Sequence, residues 1–244
     1  MIHVTKASKQ RIINQGKFII RLLPLGNAIP DHNDHGLYQL GRVDHATLKG
    51  GTLVPMHLHR NDEILSYIRK GTMEHKDSQG NTVPINNQYL MMMNAGSGFY
   101  HEEGVPKDGE TVEMLQIFMW PRVDNLIPQV QFHQQEAYSI NQWRLIGGNE
   151  QSSALLKINT EIEVYDLRLR EGKIEIPELG GKTGYLYVFD GEIDLADEPV
   201  QLKKGDAMLI EQEVVTVHSA KTADLVLFVL DKEAAFSRNG LFAQ

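Results

Sequence analysis

An all-β chain in two similar halves is what this sequence predicts, on three observations. Short apolar runs recur with turn residues between them, and helical periodicity is scarce. Two one-residue spacings, His57-Leu58-His59 and His101-Glu102-Glu103, lie inside such runs, where a strand would put both outer members on one face. The turn Lys70-Gly71-Thr72 has a counterpart in Asp190-Gly191-Glu192 of the second half. Short strands at this density indicate a barrel or sandwich.

The first fifty residues are the least regular. Ile12-Ile13 is too short a run to assign, 18–23 reads as a strand, and 27–36 is a loop of turn formers. Residues 37–47 alternate loosely and lead into a strand at Leu53–His59. Of the histidines here, His32, His35 and His45 are read as solvated loop residues, because no strand parity aligns them. Strands follow at 63–68, Thr72–Asp77, 82–85, Tyr89–Asn94, 99–103 and 113–120, with a hairpin turn at Ser78-Gln79-Gly80-Asn81. Met91, Met92 and Met93 read as core filler.

Residues 121–149, with Pro121, Pro128 and few periodic apolar positions, read as a connector. Further strands are expected at 154–157, 163–169, 184–189, Glu192–Leu195, 206–211, 214–219 and 224–230. The tail from 232 to 244 is expected as a short helix or a loosely packed end. The division into domains is placed at 1–135 and 136–244.

A hydrophobic fraction of 41% in 244 residues supplies an ample core for one large β domain or two smaller ones. A net charge of -8 and a pI near 5.7 argue against nucleic acid as the partner. With Cys at 0 there is no disulfide, thiolate ligand or cysteine nucleophile, which is compatible with the cytoplasm. The N-terminus lacks the apolar region of a signal peptide, and no segment approaches the roughly 18 apolar residues that would suggest a membrane span.

The chemistry concentrates in two places. His57 and His59 on one strand face would stand about 6–7 Å apart along the backbone, and His101 with Glu103 repeats that spacing. Three neutral imidazoles and a carboxylate suit a borderline divalent metal: iron, nickel, copper or zinc. A fourth protein ligand leaves room for substrate only at five or six coordination, which favours iron or nickel over zinc. Counting from Gly191 as from Gly71, His57 maps to Pro177, His59 to Leu179 and Glu63 to Thr183; counting from Gly205 as from Gln88, Glu103 maps to Ala220 and His101 to His218, which alone is retained. The second half therefore reads as a copy with its site erased, and one metal per chain is expected.

Residues 51–71 resemble the first cupin motif, a glycine followed by H-x-H and a later Glu and Gly. The stretch His57-Leu58-His59-Arg60-Asn61-Asp62-Glu63 with Tyr67, the run from Lys70 to Gly80, and the run from Met93 to Glu103 are together similar to the pirin family of bicupins. Lys70 and Gln88 stand where that family usually has glutamate and glycine. The resemblance implies an all-β bicupin of two stacked β-sandwich or jelly-roll barrels, with one metal in the N-terminal one. It transfers the ligand roles to His57, His59, His101 and Glu103, with Fe(II) as the first choice and Ni, Cu, Zn or Mn as alternatives. Glu63 is expected to orient a histidine or hold the barrel mouth, and His75 to be structural or exposed.

The activity implied is that of a quercetin 2,3-dioxygenase: the flavonol 3-hydroxyl loses its proton, dioxygen meets the enolate, and the ring opens with loss of carbon monoxide. Glu103 is the expected base. The partners implied are a small flavonol-like aromatic substrate and dioxygen, with no nucleic acid and no membrane. The alternative is a non-enzymatic, metal- or redox-dependent regulator that binds a protein partner.

Overall fold

The computed structural model describes residues 1–29, 34–134 and 140–243, which form strands joined by turns and two short 3-10 helices, Ala7–Lys9 and Leu25–Ala28. No described helix is long and apolar enough to cross a membrane. The first half carries β1 (Ile2–Thr5), β2 (Arg11–Asn14), β3 (Phe18–Leu22), β4 (Leu40–Leu48), β5 (Leu53–His59) and β6 (Glu63–Lys70). It continues with β7 (Thr72–Asp77), β8 (Thr82–Asn86), β9 (Tyr89–Asn94), β10 (Phe99–Gly104), β11 (Val112–Met119) and β12 (Gln129–Gln134). The second half carries β13 (Arg144–Gly148), β14 (Leu156–Lys157), β15 (Ile162–Glu175) and β16 (Thr183–Asp190). It ends with β17 (Glu192–Leu195), β18 (Gln201–Lys203), β19 (Ala207–Glu211) and β20 (Thr216–Leu230).

These strands make two sheets. One has the order β2-β3-β4-β11-β6-β9-β8-β7-β10-β5, with β12 added on β9. The other runs β1-β19-β16-β20-β15-β13-β14, with β17 and β18 branching from β20. Each has its own core. Ala46, Leu48, Ile68 and Met91 fill the first, and Leu167, Leu186, Ile193 and Leu225 the second. A third cluster joins them, because alternate residues of β6 and β11 (Leu65, Tyr67, Leu115, Ile117) point outward onto Tyr185, Tyr187 and Phe228. Each fully buried side chain of this kind stabilises the fold by roughly 1.5–3 kcal/mol. A polar seam crosses the same interface. The Tyr67 hydroxyl donates to Asp166 at 3.0 Å, the buried Arg69 pairs with Asp224, and Arg168 forks onto Asp224 at 2.9 Å through Nε and Nη2.

Several expectations are corrected. β1, where the sequence predicts no strand, pairs Ile2 with Ile210 on β19; Ile2 and Val4 pack on the second core and cover a sheet edge. The division at 135/136 falls within 135–139, outside the described residues. The pair Ile12-Ile13 does form a strand, because β3 supplies its hydrogen bonds. The presumed connector contains β12 and β13. The two strands expected at 214–219 and 224–230 are one continuous β20. The described residues of the tail form no helix: Phe236 stacks on Trp120 at 5.5 Å with an 8° interplanar angle.

His45 is not a solvated loop residue. It lies buried on β4, its Nε2 3.0 Å from Glu113 Oε1 and its Nδ1 2.6 Å from the Tyr187 hydroxyl, with Phe189 stacked at 4.6 Å. His35 is partly exposed, and His32 lies outside the described residues. The bond from His45, aided by Lys204 at 2.6 Å and opposed by burial, holds the Glu113 carboxyl down at about 2. A carboxyl with a depressed folded-state pKa stabilises the fold above its unfolded value and loses that contribution as pH falls towards the folded one. Glu113→Gln is therefore expected to lower the melting temperature at pH 7, and the gap should close as pH drops from about 4 towards 2. Thermal melts across that range check it; a gap equal at pH 7 and pH 3 contradicts it.

Candidate metal centre

Strands β5 and β10 bring the histidines together. His101 lies directly across from His57 in the ladder, and Phe99 across from His59. The register then slips, so that Glu103 faces Val54. The extra residue is on β5, where Pro55 has no N–H to give the ladder. That bulge turns the Pro55 carbonyl onto His57 Nδ1 at 2.8 Å. The imidazole centroids of His57, His59 and His101 stand 4.6 to 4.9 Å apart.

The hydrogen bonds set the tautomers. A carbonyl only accepts, so His57 donates from Nδ1 to Pro55; the carboxylate of Asp62, 3.2 Å from His59 Nδ1, does the same for His59. In neutral rings both Nε2 atoms are then acceptors, yet they face each other at 2.9 Å. Two lone pairs in that position need a cation. The separation matches the edge of about 3 Å between two ligands at right angles with bonds of roughly 2.1 Å. His101 Nδ1 and His75 Nδ1 are buried with no hydrogen-bond partner, a further sign that the cluster is incomplete without an ion. Burial, then the neighbouring imidazoles, push His101 down to about 2, and burial lowers His57, so both rings are held in the neutral form that binds metals. The donor set fits a divalent transition metal.

His57, His59 and His101 form one group of potential ligands; His101 and Glu103 form a second with His75. Glu103 is buried and is pushed up to about 7 by that burial. The Ser66 hydroxyl donates to its Oε1 at 3.4 Å and in turn accepts from Gln116 Nε2 at 3.2 Å. His75, expected as structural or exposed, is fully buried and holds Asp77 at 3.0 Å through Nε2. Its exposure is excluded because His75 lies on the inward face of β7, where burial alternates along the strand, against His101 and Phe132.

His57, His59, His101 and Glu103 open onto a cavity of about 170 Å³ lined by Ile20, Leu48, Met114, Phe118 and Phe242, with the Arg42–Asp44 ion pair on its wall. Phe242 comes from the tail, its ring 4.4 Å from His59 and 5.6 Å from His57. Asp62 ties both together. One oxygen takes His59; the other accepts the backbone N–H groups of Phe242 and Ala243 at 3.1 Å. Asp62 therefore has the orienting role expected of Glu63. Glu63 instead accepts from Asn94 and from both the backbone and side chain of Asn159, pinning the second half against the first. The signal for Asp62 was its place three residues after His59, across the tight turn at Asn61. No local signal pointed to Phe242.

The repeat is visible in the backbone. Gly71 and Gly191 both have positive φ, +77 and +81, and a Cβ at either would meet a backbone carbonyl, of Thr111 or Thr222. Ladder register corrects the counting of erased ligands. His101 pairs with His57, and His218 pairs with Lys173, so Lys173 and Glu175 occupy the places of His57 and His59, not Pro177 and Leu179. The longer connection between β15 and β16 than between β5 and β6 throws the count off. Both candidate ligand groups among the described residues lie in the first half. One metal per chain is therefore the expected result of elemental analysis on protein purified without added metal; two tightly held ions would contradict it.

Two β-sheets with separate cores, and an imidazole cluster inside the first, define a bicupin. Residues 29–120 match the Pirin family and residues 145–230 the quercetinase C-terminal cupin domain. The chain belongs to the pirin family. A quercetin 2,3-dioxygenase of Escherichia coli O157:H7 is 24% identical over 201 residues, 82% of this chain and 86% of that protein. The fold is similar to that of YhhW from Escherichia coli, with a TM-score of 0.82 at 22% identity over 94% of this chain and 97% of that one. It also matches bacterial pirin YhhW in complex with nickel(II), at a TM-score of 0.80 and 20% identity over 95% and 99%.

Proposed function

We propose that this chain is a metal-dependent dioxygenase of the pirin type that cleaves flavonols such as quercetin with dioxygen. The observation that carries it is the pair of acceptor nitrogens on His57 and His59, 2.9 Å apart at the wall of an aromatic-lined cavity that also exposes Glu103. Relatives named quercetin 2,3-dioxygenase support the reaction class. His57, His59, His101 and Glu103 would hold the ion, with Fe(II) the first choice and nickel next. When bound, such a metal acts as a Lewis acid that stabilises an oxyanion.

The chain's own residues supply the rest. Glu103, buried at the cavity wall beside the imidazoles, is placed to take the proton of the flavonol 3-hydroxyl. Ser66, held by Gln116, keeps the carboxyl in place. Phe118 and Phe242 give the flat rings an apolar slot and exclude water. Arg42 and Asp44 offer a donor and an acceptor to ring hydroxyls. Oxygen consumption by metal-loaded protein with a panel of phenolic substrates tests the reading. Turnover at or above about one per second on a flavonol supports it; no oxygen uptake with any flavonol at full metal occupancy overturns it.

A further inference from the structure

Strand alternation gives the β3-β4-β11 layer two different faces. Ile20, Ala46 and Gln116 look into the metal cavity. Arg21, His45, Thr47 and Glu113 look the other way, into a separate cavity of about 340 Å³ that Gln10, Tyr187 and Lys204 complete. Arg21 pairs with His45 and Thr47 with Glu113 in the ladders, so all four share that face.

Most polar groups of this cavity are already committed. Glu113 only accepts, so His45 carries its proton on Nε2, and its Nδ1 accepts from the Tyr187 hydroxyl. The Lys204 ammonium is neutralised by Glu113 at 2.6 Å and Asp190 at 3.0 Å. Gln10 donates to the Gly205 carbonyl at 2.9 Å. Two donors remain. Neither the Arg21 guanidinium nor the Thr47 hydroxyl has a hydrogen bond or ion pair with any described residue, and both line the cavity. Beside them Ile12, opposite Arg21 on β2, keeps 61% of its surface exposed at the cavity edge.

We propose that this cavity is a second ligand site, for a small carboxylate with an apolar body: Arg21 and Thr47 hold the carboxylate, and Ile12 covers the body. A guanidinium fork matches a carboxylate in two parallel hydrogen bonds. The charged residues lining the cavity, Arg21 and Lys204 against Glu113, sum to a single positive charge. A phosphate dianion would leave a charge uncompensated beside Glu113, whereas a monoanion would not. The site is independent of the metal centre, from which the β4 backbone separates it.

Isothermal titration calorimetry of the full-length, metal-loaded protein with benzoate and with inorganic phosphate tests the proposal. Benzoate is expected to bind, more tightly than phosphate, and Arg21→Gln to weaken it at least about tenfold. Thr47→Val should weaken it by less. Benzoate binding equally to wild type and Arg21→Gln overturns the proposal, because the acid then sits elsewhere, at the metal included. Phosphate binding the more tightly, or neither binding at about 10 mM, overturns it as well. Should Arg21→Gln not fold, amide NMR shifts of the wild type with benzoate decide: perturbation at Thr47 and His45 supports the site, and perturbation confined to the His59 and His101 region sinks it.

Discussion

His59→Ala is expected to yield a folded protein that no longer retains its metal. His59 is 2% exposed and lies at the centre of the cluster, its Nε2 against His57 and its ring 4.4 Å from Phe242 and 6.1 Å from Phe118. Removing it takes away one of three converging imidazoles. The loss of affinity should exceed the roughly 10–100-fold typical when only a ligand's hydrogen-bond partner is changed. Asp62→Asn is that milder change. It keeps an oxygen for the Phe242 and Ala243 N–H groups but weakens the orienting bond to His59. Folding survives His59→Ala because the first core and the joint core do not use this ring. The cost should stay within the 0.5–3 kcal/mol usual for single substitutions. Metal analysis together with thermal melts checks both statements. A His59→Ala protein at full occupancy would show that His59 is not a ligand.

Glu103→Gln is expected to keep much of the metal and lose most of the oxygenase activity, by the roughly 10²–10⁴-fold that a positioned base contributes. Glutamine preserves the size of the side chain and an oxygen for the Ser66 hydroxyl, so the packing around residue 103 stays. It cannot take a proton. The comparison must be made at equal metal occupancy, because the carboxylate is also placed to ligate. Glu63→Gln serves as the control: it alters a carboxylate that binds Asn94 and Asn159 rather than the site, so its effect should fall on stability more than on turnover. A metal-loaded Glu103→Gln that oxidises flavonol at the wild-type rate would remove Glu103 as the base.

Much of this protein follows from local rules. The period of two placed His57 and His59 on one face before any partner strand was known, and the structure has their rings 4.7 Å apart. Gly71 and Gly191 announced matching turns, because only a residue without a Cβ fits there. Met91, Met92 and Met93 were legible as core, and all are fully buried. A strand's faces and a turn's backbone are decided within a few residues, so the sequence alone carries them.

What lies far apart along the chain was decided only by the tertiary structure. Phe242 covers the histidines from the other end of the molecule, and β1 joins the second sheet rather than the first. His45 looked like a loop histidine until Tyr187 of the other half met it. Lys173, not Pro177, stands in the place of His57 in the repeat, because the longer connection from β15 to β16 throws off the count back from Gly191. Asp62 and Glu63 are adjacent acids that the sequence could not tell apart. One faces His59 and the other Asn159, because their side chains leave β6 and the turn before it in different directions. Pairings of this kind depend on loop lengths and on how each sheet closes, and no local period records either.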